Sequence, residues 1–389
     1  MSFKRFAGIL VIGFFLISIG MAPGVIAEEK GPIKIGGLFA LTGPAKHIGQ
    51  PTKDVADMII ERINKQGGIN GRKLEMVVAD TEGEPSKANI ALKRLITKDK
   101  VVAVIGPTRT GCAMACLKTI DDARMPTVAC VGGDPAVLPV EERKWIFKTP
   151  QLTTTAVEKI YVYCKKNGMK KIGILTASDG FGQEGGKVLV SLADQYGLSI
   201  VARESFDVKD VDMTVQISKI MAQKPQALIC WTIGPAGAIV SKNAHSLGIK
   251  CPLFQCHGLP DPSYIKAAGE AANGNIMPST KLMVADQLPA KDPQKALLLD
   301  FIDEYENVKK YGKVNAHSGY AWDAVQIVAK AIEKAGTEPE KLRDAIENTK
   351  DYVGISGIYN MSAKDHCGLA LDSMVLITIE DGKWKLLEY

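Results

Sequence analysis

Two stretches of this chain repeat one another in order. Val101-Val102-Ala103-Val104-Ile105-Gly106-Pro107 is echoed by Ala227-Leu228-Ile229-Cys230-Trp231-Thr232-Ile233-Gly234-Pro235, and Pro126-Thr127-Val128-Ala129-Cys130-Val131-Gly132 by Pro252-Leu253-Phe254-Gln255-Cys256-His257-Gly258. The separations are 128 residues (Pro107 to Pro235) and 126 residues (Pro126 to Pro252). One such pair could arise by chance, but two in register point to two lobes of the same build. Short apolar strands alternate with helical segments in each copy, the pattern of a mainly parallel sheet covered by helices on both faces. Ligands of such sheets sit beyond the carboxyl ends of the strands. Two lobes facing each other across those ends enclose a cleft.

The N-terminal part shows the repeating unit most clearly. An apolar strand, Ile35 to Phe39, runs into the loop Leu41-Thr42-Gly43-Pro44, and Val55, Ile59, Ile60 and Ile63 then recur at helical spacing. The turn Gly67-Gly68-Ile69-Asn70-Gly71-Arg72 follows, and a second strand, Leu74 to Ala79, closes at Asp80. Together with Ile105-Gly106-Pro107, Asp179-Gly180-Phe181-Gly182 and Gly319-Tyr320-Ala321-Trp322-Asp323-Ala324, this order of motifs resembles the periplasmic solute-binding proteins of the branched-chain amino-acid type over nearly the whole chain. The resemblance implies an α/β protein with the type I periplasmic-binding fold: two similar lobes joined by a three-stranded hinge. It also implies no catalytic activity, no cofactor, and a monomer that delivers a small-molecule carboxylate or amino acid to the permease subunits of an ABC importer. A ligand-sensing protein feeding a receptor or regulator is the alternative, since the fold would be the same.

On that reading residues 28–148 plus 279–355 form lobe 1 and residues 149–278 plus 356–389 form lobe 2, with crossings at Lys148-Thr149-Pro150, around Met277 to Lys281 and near Val353 to Gly357. Residues 1–27 read as a secretory signal: Lys4 and Arg5, an apolar run from Phe6 to Ile19, and Val25-Ile26-Ala27 before the cut. The run is short for a membrane span, and the expected location is the periplasm. What remains accommodates two domains at roughly 100 to 200 residues each.

The chain has 48 Lys and Arg against 43 Asp and Glu, scattered along its length, so nucleic acid is not implied. Eight cysteines in an exported chain raise the question of disulfides, with Cys251 and Cys256 the nearest candidates, although most read as small buried apolar residues. Neither they nor the five histidines have metal-ligand spacing, and His47 reads as solvent-facing. Gly180-Phe181-Gly182-Gln183-Glu184-Gly185 matches a dinucleotide-binding fingerprint, with Glu204 at about the distance of the ribose-binding acid. Four residues, Ala177 to Gly180, separate it from the strand read as Ile172 to Thr176, and it is remote from the first βαβ unit, so cofactor binding is not expected.

Thr108-Arg109-Thr110-Gly111 lies between a strand and a helix, with Thr110 placed as the N-cap. The helix start offers N–H groups and a positive dipole end to an anion. By the resemblance this loop grips a ligand carboxylate through Thr110 and Gly111, Val131 and Gly133 offer backbone groups, Phe181 covers the ligand, and Ile233, with Trp231, walls the pocket. His257 stands where amino-acid-binding members carry an acid to pair with the ligand ammonium. Gly83 and Arg109 replace the cysteines of the family's first-lobe disulfide, leaving Arg109 beside the carboxylate site. A histidine, able to be cationic, and an arginine tilt the pocket toward an anion without an amino group, such as an aromatic or aliphatic acid. In the other reading Arg109 points to solvent and His257 only hydrogen-bonds a loop.

Overall fold

A computed structural model describes residues 31–388; the expected signal segment lies outside the described residues. Five strands, β1 (Ile33–Phe39), β2 (Leu74–Asp80), β3 (Val104–Ile105), β4 (Thr127–Ala129) and β5 (Ile146–Lys148), form one sheet in the order β2-β1-β3-β4-β5. All of its pairings are parallel. The second sheet begins with β6 (Lys171–Ala177), β7 (Ser199–Phe206), β8 (Ala227–Trp231), β9 (Leu253–Gln255) and β10 (Ile276–Thr280). A two-stranded ribbon, β11 (Tyr352–Val353) with β12 (Ile358–Tyr359), precedes its last two strands, β13 (Met374–Glu380) and β14 (Lys383–Glu388). The order β14-β13-β10-β9-β8-β6-β7 repeats the first sheet strand for strand, from β7-β6-β8-β9-β10, and adds an antiparallel pair. The repeats seen in the sequence are these equivalences: β3 with β8 and β4 with β9.

Helices fill the crossovers: α1 (Lys46–Lys65), α2 (Pro85–Thr97), α3 (Thr110–Asp122), α4 (Thr153–Lys166), α5 (Gly180–Ala193), α6 (Thr214–Ala222), α7 (Pro235–Ser246), α8 (Pro262–Ala268), α9 (Lys295–Asp303), α10 (Ala316–Ala335) and α11 (Pro339–Glu347). The strand runs are continuously apolar because both faces are covered; Ile35, Val104, Ile105, Val128, Ile229 and Phe254 are fully buried. Helix α1 shows the complementary one-sided pattern, burying Val55, Ala56, Met58, Ile59 and Ile60 while Lys53, Asp57 and Glu61 stay outside. Among the described residues no helix is long and apolar enough to cross a membrane.

The sheets are linked by three segments: the turn after β5, the stretch after β10, and the β11–β12 ribbon. Asp323, fully buried on α10, holds the third. Its carboxylate accepts from the N–H groups of Ile355 (2.7 Å) and Ser356 (2.8 Å) and from the Tyr359 hydroxyl (3.0 Å). Burial pushes its pKa up to about 6. Gly319, one turn earlier, lets α10 approach this segment: a Cβ there would lie 2.8 Å from Ile355. The Gly-Tyr-Ala-Trp-Asp-Ala motif is thus in part a hinge anchor.

The dinucleotide fingerprint needs a correction. Strand β6 extends to Ala177, leaving only Ser178 and Asp179 before α5, so the turn is tight. Its glycines serve packing instead: a Cβ on Gly182 would lie 2.2 Å from the Ala177 carbonyl, and one on Gly185 2.1 Å from Trp231. Glu204 pairs with Lys219 at 3.5 Å. The eight cysteines are all unpaired; Cys251 is partly exposed and the other seven are buried.

Candidate functional site

The carboxyl ends of β3, β4, β6, β8 and β9 converge on a partly open cavity of about 220 Å³. Arg109, Thr110, Gly111, Phe181, Ile233 and His257, all anticipated from the sequence, line it together. Val131 and Gly133 do not. Val131 packs into the core beneath α3, and the Gly133 N–H donates to the Thr110 hydroxyl oxygen at 3.2 Å. Gly132, between them, reaches the cavity. Trp231 is fully buried behind the wall, its ring 6.0 Å from that of Phe181 and 5.6 Å from that of His257.

Thr110 is not the cap of α3. Arg109 occupies that position with extended backbone, and no side chain caps the helix. The first intrahelical bond runs from the Ala113 N–H to the Arg109 carbonyl, so the N–H groups of Thr110, Gly111 and Cys112 have no partner within the helix. The Thr110 hydroxyl, accepting from Gly133, keeps its own hydrogen to donate. Four donors at the positive end of a helix thus gather at one end of the cavity.

The two sheets meet across this cavity. Ile233, after β8, packs against Ala40, Ala45 and Ile48, after β1 and in α1. Arg109 neither points to solvent nor waits for a ligand: its Nη2 donates to Asp179 Oδ2 at 3.0 Å, and its Nη1 approaches the Gly83 carbonyl at 3.4 Å. Asp179 in turn accepts from the Gly182 N–H at 2.9 Å, capping α5. The pair joins the two halves, and the positive charge of Arg109 is already neutralised. A Cβ on Gly83 would lie 3.3 Å from Arg109 Cδ, so the two positions assigned to the missing disulfide are neighbours.

His257 also departs from expectation. Fully buried, its pKa is driven down to about 3 by desolvation, with Lys148 and His317 adding to the effect. It is neutral and hydrogen-bonds no loop; neither ring nitrogen has a partner. Among the lining or adjoining residues that escaped the sequence reading are His317, Tyr320 and His47. His317 and Tyr320 line the cavity from the first turns of α10, and the Tyr320 hydroxyl is unpartnered. His47 is half-buried rather than solvent-facing, its ring 6.5 Å from that of His317, and burial lowers its pKa. The available signal was Asn315: its side chain accepts from the Ser318 N–H at 3.0 Å in a capping box. An N-cap there starts α10 at Ala316 and brings His317 and Tyr320 to the cavity.

Beside the cavity lies a buried charged cluster. Lys148, fully buried at the end of β5, donates to the carbonyls of Gly132 (2.5 Å) and Gln151 (3.0 Å) and lies 3.9 Å from Asp134. Asp134 accepts from the Thr153 and Thr154 N–H groups at the start of α4. Glu184 on α5 accepts from the Asp134 N–H (3.3 Å) and the Thr153 hydroxyl (2.8 Å). Desolvation, then the nearby Asp134 charge, raises the Glu184 pKa from 4.5 to about 7.

A family model described as "Periplasmic binding protein" matches residues 32–383. The chain belongs to that family. Its members are ligand-binding proteins, not enzymes. The chain is 25% identical over 326 residues to "Leu/Ile/Val-binding protein homolog 3" of Brucella melitensis, covering 83% of each. It superposes with a TM-score of 0.85, at 28% identity, on an extracellular ligand-binding receptor from Rhodopseudomonas palustris, covering 92% of this chain and 100% of that one. A leucine binding protein from Thermotoga maritima gives 0.81 at 22% identity, covering 91% and 97%, a likeness of fold.

Proposed function

We propose that this chain is the substrate-binding protein of an ABC importer and captures a small carboxylate that lacks an ammonium group. It acts as a periplasmic monomer released from residues 1–27. Its lobes divide at the three linking segments, residues 28–148 plus 279–355 against 149–278 plus 356–389, and close over the ligand. The donors at the start of α3 receive the carboxylate, in a setting worth up to about 2 kcal/mol. Phe181, Ile233 and Ile48 give the apolar body its wall.

One observation carries the exclusion of the amino group. The carboxylates lining the cavity are Glu84, which is exposed, and Asp179, which is held by Arg109. His257, at the place of the counter-charge, is neutral. A buried cation without an opposing charge costs several kcal/mol, whereas a hydrogen or methyl group in its place costs nothing of that kind. The relatives named for leucine, isoleucine and valine make amino acids the competing class. A neutral His257 and an occupied Arg109 remove a fixed positive charge as a reason for choosing anions; what remains is the lack of a negative one.

Thermal melts with matched pairs test this, because a ligand that binds only the folded state raises the melting temperature. 4-Methylpentanoate should stabilise the protein more than leucine, and 3-phenylpropanoate more than phenylalanine. Stabilisation by the amino acids and none by the acids would refute the assignment.

A further inference from the structure

The cavity wall holds hydrogen-bonding capacity that the protein leaves unused. Both ring nitrogens of His257 and the Tyr320 hydroxyl are buried without a partner, and the two residues are 1% and 3% exposed. Burying such groups unpaired carries a penalty that a native structure normally avoids. A neutral imidazole presents one donor and one acceptor, and a phenol presents both in one atom. The matching ligand group must both donate and accept. A methyl or a ring C–H does neither, and an ammonium only donates.

Geometry places this demand within reach of the carboxylate donors. A Cβ on Gly132 would lie 3.0 Å from His257 Nε2, and one on Gly133 2.9 Å from the Thr110 hydroxyl. The two groups therefore lie against adjacent residues of one segment, and summing those reaches puts them no more than roughly 13 Å apart, within the span of one small ligand. Phe181 lies against His257, ring centroids 5.7 Å apart, so the space between the polar groups has an apolar wall.

We infer that the ligand is a compact hydroxy acid, with an un-ionised hydroxyl held by His257 and Tyr320. This rests on the carboxylate reading above and adds to it a demand for a second polar group. A site built to bond a hydroxyl discriminates strongly against the analogue without one, because its own polar groups are then left unpaired.

Calorimetric titration of the mature protein with 4-hydroxybenzoate against benzoate, and 2-hydroxy-4-methylpentanoate against 4-methylpentanoate, tests the inference. In at least one pair the hydroxy acid should bind at least about tenfold tighter than its parent. Tyr320→Phe and His257→Phe should each narrow that gap by weakening the hydroxy acid and sparing the parent, which a merely structural role would not do. Equal binding within both pairs, or a gap that survives both substitutions, overturns the inference while leaving the carboxylate reading standing. Binding of leucine with no response to any of the four acids overturns both.

Discussion

Closure of this cleft should take up a proton, and Glu184→Gln should abolish that dependence. Glu184 on α5 accepts from the N–H of Asp134, which follows β4 of the first sheet and lies 3.9 Å from Lys148, with Thr153 accounting for its second oxygen. When the cleft opens, α5 withdraws, the contact with the Asp134 N–H is lost, and the carboxyl returns to water and its usual pKa of 4.5. Its value in the closed form is about 7, chiefly through desolvation and then through Asp134. The sign follows from a raised acid. Below about pH 4.5 Glu184 is protonated in both forms and closure is insensitive to pH; between there and about pH 7 closure must bind a proton, so affinity falls as pH rises; above that the penalty is constant. The gap between the two values sets a ceiling of about 3 kcal/mol at 1.36 kcal/mol per pH unit. Because Asp134 and Lys148 share the charge, about a tenfold loss of affinity between roughly pH 5.5 and pH 8 is the expected size. His257 at about 3 and His317 at about 4 stay neutral throughout that window. Asp323, at about 6, titrates within it but is common to both proteins. Calorimetry with 4-methylpentanoate across the window reads the effect. The wild type should lose affinity toward alkaline pH, while Glu184→Gln, an uncharged isostere, should bind as tightly at the upper end as at the lower. A flat wild-type profile, or an unchanged slope in the variant, would refute the reasoning.

Gly132→Ala should fold normally and bind every ligand at least about tenfold more weakly, because the new Cβ would sit 2.8 Å from Phe181 and 3.0 Å from His257 only when the halves are shut; unchanged affinity would mean that binding does not need this closed form. Arg109→Gln removes a partly exposed ion pair between the halves, worth about 1 kcal/mol or less, so all ligands should weaken by the same factor of about five or less. A selective loss of acids would make Arg109 the carboxylate's partner instead. Asp323→Ala strips the acceptors from the buried Ile355 and Ser356 N–H groups, the Tyr359 hydroxyl keeping the Thr149 carbonyl at 2.7 Å, and should destabilise the fold by about 3 kcal/mol in chemical denaturation. A change within about 0.5 kcal/mol would remove Asp323 as the anchor of the third link.

The doubled architecture was legible because strand and helix periodicities are local, and the Pro-led strands at Thr127 and Leu253 kept their register through divergence. Part of the cavity wall was legible for a similar reason: Arg109, Thr110, Gly111, Phe181, Ile233 and His257 all lie just past strand ends. What the sequence hid depends on contacts between distant residues. Arg109 finds its partner at Asp179, across the cleft, and His257 is neutral because of how deeply it is buried. Neither fact has a local signature. The start of α10 was obscured by its composition, since His317, Ser318 and Gly319 are weak helix formers and only the Asn315 cap marks the beginning. Gly133 was assigned to the ligand although its N–H is spent on Thr110, because a backbone donor looks the same in a sequence whether or not a neighbour has claimed it.

X-ray scattering of the mature protein, recorded alone and then saturated with whichever acid raises the melting temperature most, addresses the closing of two lobes on a captured carboxylate. Saturation should reduce the radius of gyration as an open population gives way to a shut one. A profile that stays constant while calorimetry shows full occupancy would contradict it.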